Sequence, residues 1–192
     1  MNLKNAVIGT SENLSPDFLK DLVFGCAVNL DNRGEFSRVF DIEEIKKVVC
    51  DFSLAQVSFS RSFKKNTRRG MHVQVKPSEE IKVVRVLKGS LIDVIIDTNL
   101  DSMNFGEWAM FHLDAKIGNG LIVPSGFAHG IHTLEDETVV AYGMNVKFDS
   151  RRDKAISSSD LDLNIPWGHP VHVMSEKDRN ALSWNEFKKL LL

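Results

Sequence analysis

The sequence predicts a mainly β domain: a sandwich or barrel of many short strands with short flanking helices. Three observations carry this. From about residue 54 onward, apolar and polar residues alternate in short runs, the period of a pleated strand. Turn-forming residues interrupt those runs at regular intervals, as at Lys88-Gly89-Ser90 and around Pro124-Ser125-Gly126. Helical spacing is confined to short stretches on either side of that region.

The elements follow in order. Residues 1–30 are mixed, with a short helix predicted to start at Ser15-Pro16-Asp17-Phe18, because proline suits an early helical position. Asp41 to Val49 has helical spacing and an acidic start. Strands are then expected at 55–60, 71–75, 81–87, 91–96, 108–113, 120–123, 130–134 and 138–148. Lys88-Gly89-Ser90 reads as the tight turn of a hairpin joining two of them. Near the C-terminus, Ser175-Glu176-Lys177-Asp178 and Ser183-Trp184-Asn185-Glu186 both fit helix capping boxes. No repeat, low-complexity tract or Pro/Gly-rich linker divides the 192 residues, so one domain over 1–192 is expected, with its core at about 20–180.

Composition narrows the function classes. A net charge of −2 argues against a general nucleic-acid or membrane-surface binder, which carries a strong basic excess. Lys64-Lys65-Asn66-Thr67-Arg68-Arg69 is a local cationic run that reads mostly as a solvated loop. Cys26 and Cys50 lack metal-ligand spacing and read as small core residues, so a reducing, cytoplasmic setting is expected. No apolar stretch reaches the roughly 18 residues of a membrane span.

Several residues carry chemistry. In Arg69-Gly70-Met71-His72-Val73-Gln74, alternation puts Gly70, His72 and Gln74 on one strand face. A histidine there suits a general base at neutral pH, and an arginine beside it suits a phosphate. Tyr142, the one tyrosine, shares an apolar face with Val140, Met144, Val146 and Phe148, so its hydroxyl needs a partner or a cavity. Lys82 begins an apolar strand and reads equally as an edge-strand cation. Asp93 lies in an apolar run, where a carboxylate needs a partner such as a histidine. His129 and His132 offer metal ligands, but the His-x-His pair of a metal cupin is missing, because Val73 and Gln74 follow His72. Asp178 reads as a residue of a capped helix turn.

Taken together, the sequence resembles the dTDP-4-dehydrorhamnose 3,5-epimerases. The resemblance rests on motifs in the family's order: Asp31-x-Arg33-Gly34-x-Phe36, Arg69-Gly70-Met71-His72-x-Gln74, Lys82-Val83-Val84-x-Val86-x-x-Gly89 and Asp93-Val94-x-x-Asp97. Then come Phe105-Gly106-x-Trp108, Pro124-x-Gly126-Phe127-Ala128-His129-Gly130, Tyr142, Ile165-x-Trp167 and Ser175-x-Lys177-Asp178. The resemblance implies a cupin-like jelly-roll barrel and epimerisation at C3, C5 or both of a nucleotide-linked 4-keto-6-deoxy sugar, in deoxysugar biosynthesis. By the same resemblance His72 is the base, Asp178 its orienting acid, Tyr142 the opposed proton donor and Lys82 the cation beside the C4 oxygen. His129 and Asp93 form a second pair lining the site, and Gln74 is a further substrate-binding residue. Arg33 and Arg69 bind phosphate and Phe148 stacks on the nucleotide base. The resemblance further implies a dTDP-sugar substrate, no cofactor or metal, and a homodimer in which Arg33 acts in the partner's site.

The sequence departs from the family at the substrate-facing rim. Met71 and Val73 replace leucine and tyrosine, Arg38 replaces a glutamate, and Ser58 stands at an asparagine position. Gly143 replaces a lysine, and Phe148 a tyrosine. The proton-transfer set is intact, so the reaction type is better supported than the substrate. A metal-dependent cupin enzyme and a non-catalytic sugar-binding jelly roll are the alternative readings.

Overall fold

Period-two alternation in this chain builds two facing sheets. The computed structural model describes residues 6–11, 14, 19 and 21–192; the helix start expected at Ser15-Pro16-Asp17-Phe18 lies outside them. One sheet contains, in spatial order, β1 (Val7–Thr10), β9 (Trp108–Asp114), β8 (Ser90–Asp97), β11 (Phe127–Thr133), β6 (Arg68–Gln74) and β13 (Asp153–Ala155). The other contains β2 (Val23–Gly25), β10 (Asn119–Val123), β7 (Lys82–Lys88), β12 (Thr138–Met144) and β5 (Gln56–Ser62). The pairings are antiparallel, and from β5 to β8 and again from β9 to β12 the chain alternates between sheets, as a jelly roll does. β3 (Val28–Asp31) and β4 (Gly34–Ser37) form a separate hairpin.

Three apolar layers hold these sheets. Between them pack Val84, Val86, Leu121, Val123 and Val140 from one side and Leu91, Ile95, Phe111, Leu113 and Ile131 from the other. The opposite face of the first sheet presents Met71, Val73, Ile92, Val94 and Ile96 to Trp167, Trp184 and Phe187 of the C-terminal segment. A third cluster packs Ile45 and Phe52 on Val83 and Ile122, so α1 (Ile42–Lys46) covers the second sheet. β8 is buried along its whole length, which explains its nearly unbroken apolar sequence.

The expected 88–90 hairpin is corrected. Gly89 does reverse the chain, with φ +81°, and a Cβ there would come within 2.7 Å of Thr138 Oγ1. Yet β7 continues into pairing with β12 and β10, whereas β8 pairs with β9 and β11. Turn chemistry marks a reversal without naming the partner strand. α1 also ends at Lys46, short of Val49, and Cys50 beyond it is exposed rather than a core residue. Both serines cap their helices, but only Ser183 completes the expected capping box, because the Asp178 carboxylate is bonded to Gly70 and His72 rather than back to Ser175. Ser175 Oγ accepts the Asp178 N–H ahead of α2 (Glu176–Arg179), and Ser183 and Glu186 form a reciprocal capping box on α3 (Trp184–Leu191).

Candidate active site

At one end the facing sheets separate into a cleft of about 630 Å³, within the usual range for small-molecule sites. His72, Arg69 and His129 line it from one sheet, Tyr142, Lys82 and Ser60 from the other, Asp178 from α2 and Phe148 from the loop after β12.

Gly70 sets the geometry of the first wall. Its φ is +104°, and a Cβ would lie 2.6 Å from the His129 carbonyl oxygen and 2.7 Å from Gly130 Cα. Only glycine lets β6 approach β11 this closely, where the register shifts between His129 and Ile131. The two histidines become direct cross-strand neighbours, His129 opposite His72.

Each histidine holds its own aspartate. His72 Nε2 donates to Asp178 Oδ1 at 2.6 Å, while Asp178 Oδ2 accepts the Gly70 N–H at 3.3 Å. Burial alone would push the Asp178 carboxyl up. The hydrogen bond and charge of His72, with the Gly70 N–H and Ser175, hold it below the ordinary carboxylate value. With the ring proton kept on Nε2, Nδ1 of the neutral ring is free to take a proton. His129 Nε2 lies 2.9 and 3.0 Å from the two Asp93 oxygens. Complete burial pushes the Asp93 carboxyl up, and His129 and Lys82 offset this only in part.

The opposite wall carries the tyrosine. Tyr142 Oη shares a 3.1 Å hydrogen bond with Ser60 Oγ. Burial pushes the phenol up to about 12, opposed by the Ser60 hydrogen bond, raised further by Asp93 and lowered by Arg69. It therefore stays protonated at neutral pH and has a proton to give. Lys82 is on an interior strand of its sheet, not an edge, and its Nζ pairs with Glu80 Oε1 at 2.8 Å.

The remaining expected residues divide. Arg69 stands at the rim, held by Ser62 Oγ at 3.1 Å and the Arg61 carbonyl at 3.3 Å. Phe148 is 55% exposed, and its N–H donates to Gln56 Oε1 at 3.3 Å. Gln74 does not line the cleft. Its amide donates to Glu80 Oε2 at 3.1 Å and accepts the Asp149 N–H at 2.7 Å, so it braces the wall behind Lys82. Arg33 sits on the β3–β4 turn, 85% exposed and paired with Asp31, away from this chain's own cleft. His132 points to the far face of its sheet, where it meets Arg68, and does not converge with His129. Among the described residues no His, Cys, Asp and Glu side chains gather as a metal site.

Sequence reading missed Glu80, Ser60 and Gln56. The signal for the last two was present: β5 turns Gln56, Ser58 and Ser60 inward and leaves Val57 and Phe59 58% and 74% exposed, an inverted pattern that marks a polar cavity.

The family model described as dTDP-4-dehydrorhamnose 3,5-epimerase matches residues 19–186. The chain belongs to this family. It is therefore an epimerase, an isomerase by class. A dTDP-4-dehydrorhamnose 3,5-epimerase of Sinorhizobium fredii is 37% identical over 154 residues, 80% of this chain and 79% of the relative. A Streptomyces dTDP-4-dehydro-6-deoxyglucose 3-epimerase is 26% identical over 156 residues, 80% of this chain and 79% of that one. The cupin-like fold matches a crystal structure of the Legionella pneumophila dTDP-6-deoxy-D-glucose 3,5-epimerase in complex with dTDP-4-keto-L-rhamnose. The TM-score is 0.81 at 30% identity, covering 90% of this chain and 93% of that one.

Proposed function

We propose that the chain epimerises a dTDP-linked 4-keto-6-deoxy sugar in deoxysugar biosynthesis, at C3, C5 or both. The observation that carries this is the opposition of His72 and Tyr142 across one cleft, each on a different sheet. A proton alpha to a ketone is weakly acidic, and its removal leaves an enolate. His72 Nδ1 takes that proton while Asp178 steadies the imidazolium. Lys82, on the tyrosine's wall, faces the negative charge that develops on the C4 oxygen. Tyr142 returns a proton to the opposite face, so the carbon is inverted. His129 and Asp93 complete the wall beside the base. Arg69 at the rim suits the pyrophosphate, and the exposed ring of Phe148 suits a nucleobase.

The single domain spans 1–192 and works as a homodimer in the cytoplasm, with the exposed Arg33 reaching the partner's cleft. Among the described residues no helix is long and apolar enough to cross a membrane. Light scattering at micromolar concentration should give a dimer mass; a monomer would contradict that part.

Incubation with dTDP-4-keto-6-deoxyglucose in deuterated water tests the reaction. The expected result is deuterium at C3, C5 or both, with the sites labelled reporting one- or two-carbon epimerisation. No label with this or any other 4-keto nucleotide sugar would sink the proposal.

A further inference from the structure

β6 has a second working face. His72 looks into the cleft; Arg68 also borders it, but its guanidinium turns to the far side of the sheet, against Trp167 and His132 beneath residues 166–173. Arg68 was expected in a solvated loop, yet it is only 5% exposed, with its guanidinium 4.2 Å above the Trp167 ring. Arg68 Nε donates to His132 Nδ1 at 3.3 Å, and Nη2 donates to the His169 carbonyl at 3.4 Å. His132, which is 0% exposed, meets Asn66 Oδ1 through Nε2 at 3.3 Å. Asn66 Nδ2 then meets His172 Nδ1 at 3.3 Å.

The direction of this chain of bonds is fixed at its start. A guanidinium N–H only donates, so His132 Nδ1 is bare and its Nε2 carries the ring proton. Asn66 accepts that proton's bond and donates onward to a bare His172 Nδ1. The Arg68 link holds only while His132 is neutral, because a protonated Nδ1 has no lone pair left to accept the guanidinium N–H. The titratable groups facing His132 are Arg68 from β6 and His169 and His172 from the covering segment, with the His169 ring stacked on it at 5.7 Å. Among the described residues no carboxylate pairs with any of these four groups.

The same place fastens the backbone. Arg68 N–H donates to the Val173 carbonyl at 2.9 Å, and His172 N–H to the Asn66 carbonyl at 3.0 Å. Two residues past Val173, Ser175 caps the turn that presents Asp178 to His72.

We infer that the Arg68–His132–Asn66–His172 chain is a positioning device for the base, locking residues 166–173, and with them Asp178, against β6. This rests on the reading of His72 as the proton-abstracting group. Neutral His132 is part of the lock, so the device is built to hold at neutral pH and to weaken in acid.

The test compares His132→Leu with His132→Asn, whose Oδ1 can replace the lost acceptor for Arg68. His132→Leu should lower kcat about tenfold with KM nearly unchanged, since small misplacements of a reacting group cost rate. The acidic limb of its kcat/KM profile should move to lower pH, because a histidine loosened from its aspartate protonates less readily. His132→Asn should recover most of both effects. The His72 ring titration, followed by NMR without substrate, should move the same way. That readout separates failure of this inference from failure of the proposed reaction. Should His132→Leu not fold, Asn66→Gly breaks the same chain while keeping the φ of +59° easy, and the same shift is expected. A lowered melting temperature with an unmoved acidic limb and an unmoved His72 titration would overturn the inference.

Discussion

The two histidine–aspartate pairs are direct neighbours on adjacent strands, yet they occupy opposite electrostatic regimes. His72 keeps a third of its side chain exposed to the cleft, at 33%, and its aspartate arrives on a capped helical turn from the C-terminal segment. His129 and Asp93 are 6% and 0% exposed, and both sit on central strands. The Asp178 carboxyl is held low by donors gathered round it, whereas burial pushes Asp93 up. The same two residue types therefore give a cleft-facing pair, the proposed base and its aspartate, in one place and a buried pair in the other. Access to the cleft and the number of donors on the carboxylate make the difference.

Removing the histidines is the strongest way to break this comparison. His72→Ala should lower kcat by about 10² to 10⁴, the usual worth of a general base, with little change in melting temperature. If His129→Ala costs as much in kcat and nothing in stability, the two pairs are not distinct. Their aspartates sharpen the contrast. Asp178→Asn should reduce kcat about a hundredfold through the wrong tautomer of His72, leaving the fold intact. Asp93→Ala should instead destabilise the protein by about 3 kcal/mol, because it strands a buried polar partner. Urea melts and steady-state rates on both variants check this.

Protonation gives a smaller effect. Asp178, held below its unfolded value, contributes stability above that value and loses it as pH falls through the lower folded one. Asp93 is raised, so its contribution is full at low pH and lost as pH rises through its folded value. His132 falls from 6.5 to about 4, through burial first and then through Arg68, His169 and His172. The unfolded chain therefore binds the extra proton, and stability should drop by roughly 3 kcal/mol between pH 6.5 and 4. Thermal melts across that window should show the drop, and His132→Asn should flatten it. Smallest is the rim: Arg33→Ala should raise KM by roughly three- to tenfold at unchanged kcat, the worth of one partly solvated phosphate contact.

Much of the β region was legible because period-two alternation is unambiguous where one face is buried. β5 and β7 to β10 fall within about two residues of their expected bounds, whereas β6 and β11 begin earlier, at Arg68 and Phe127, and β12 ends at Met144, short of the expected 148. β1 to β4 and β13 were not legible, being only three or four residues long, too short for alternation to show. The residues that converge on the cleft, His72, Tyr142, Lys82 and Asp178, were legible through motif order. Glu80 was not, because a glutamate after a proline turn looks solvated until Lys82 and Gln74 close on it. Arg68 was misread for a related reason: its cover, Trp167, lies about a hundred residues along the chain, and a charge run carries no trace of it.

The central claim is that base and acid stand on opposite walls of one cleft and do separate jobs. Tyr142→Phe tests it directly, with isotope exchange and epimerised product followed together by NMR in deuterated water. His72 should still remove and return a proton on its own face, so deuterium should enter the sugar while inverted product falls by two decades or more. Inversion at the wild-type rate, or loss of exchange and inversion in step, would contradict the account.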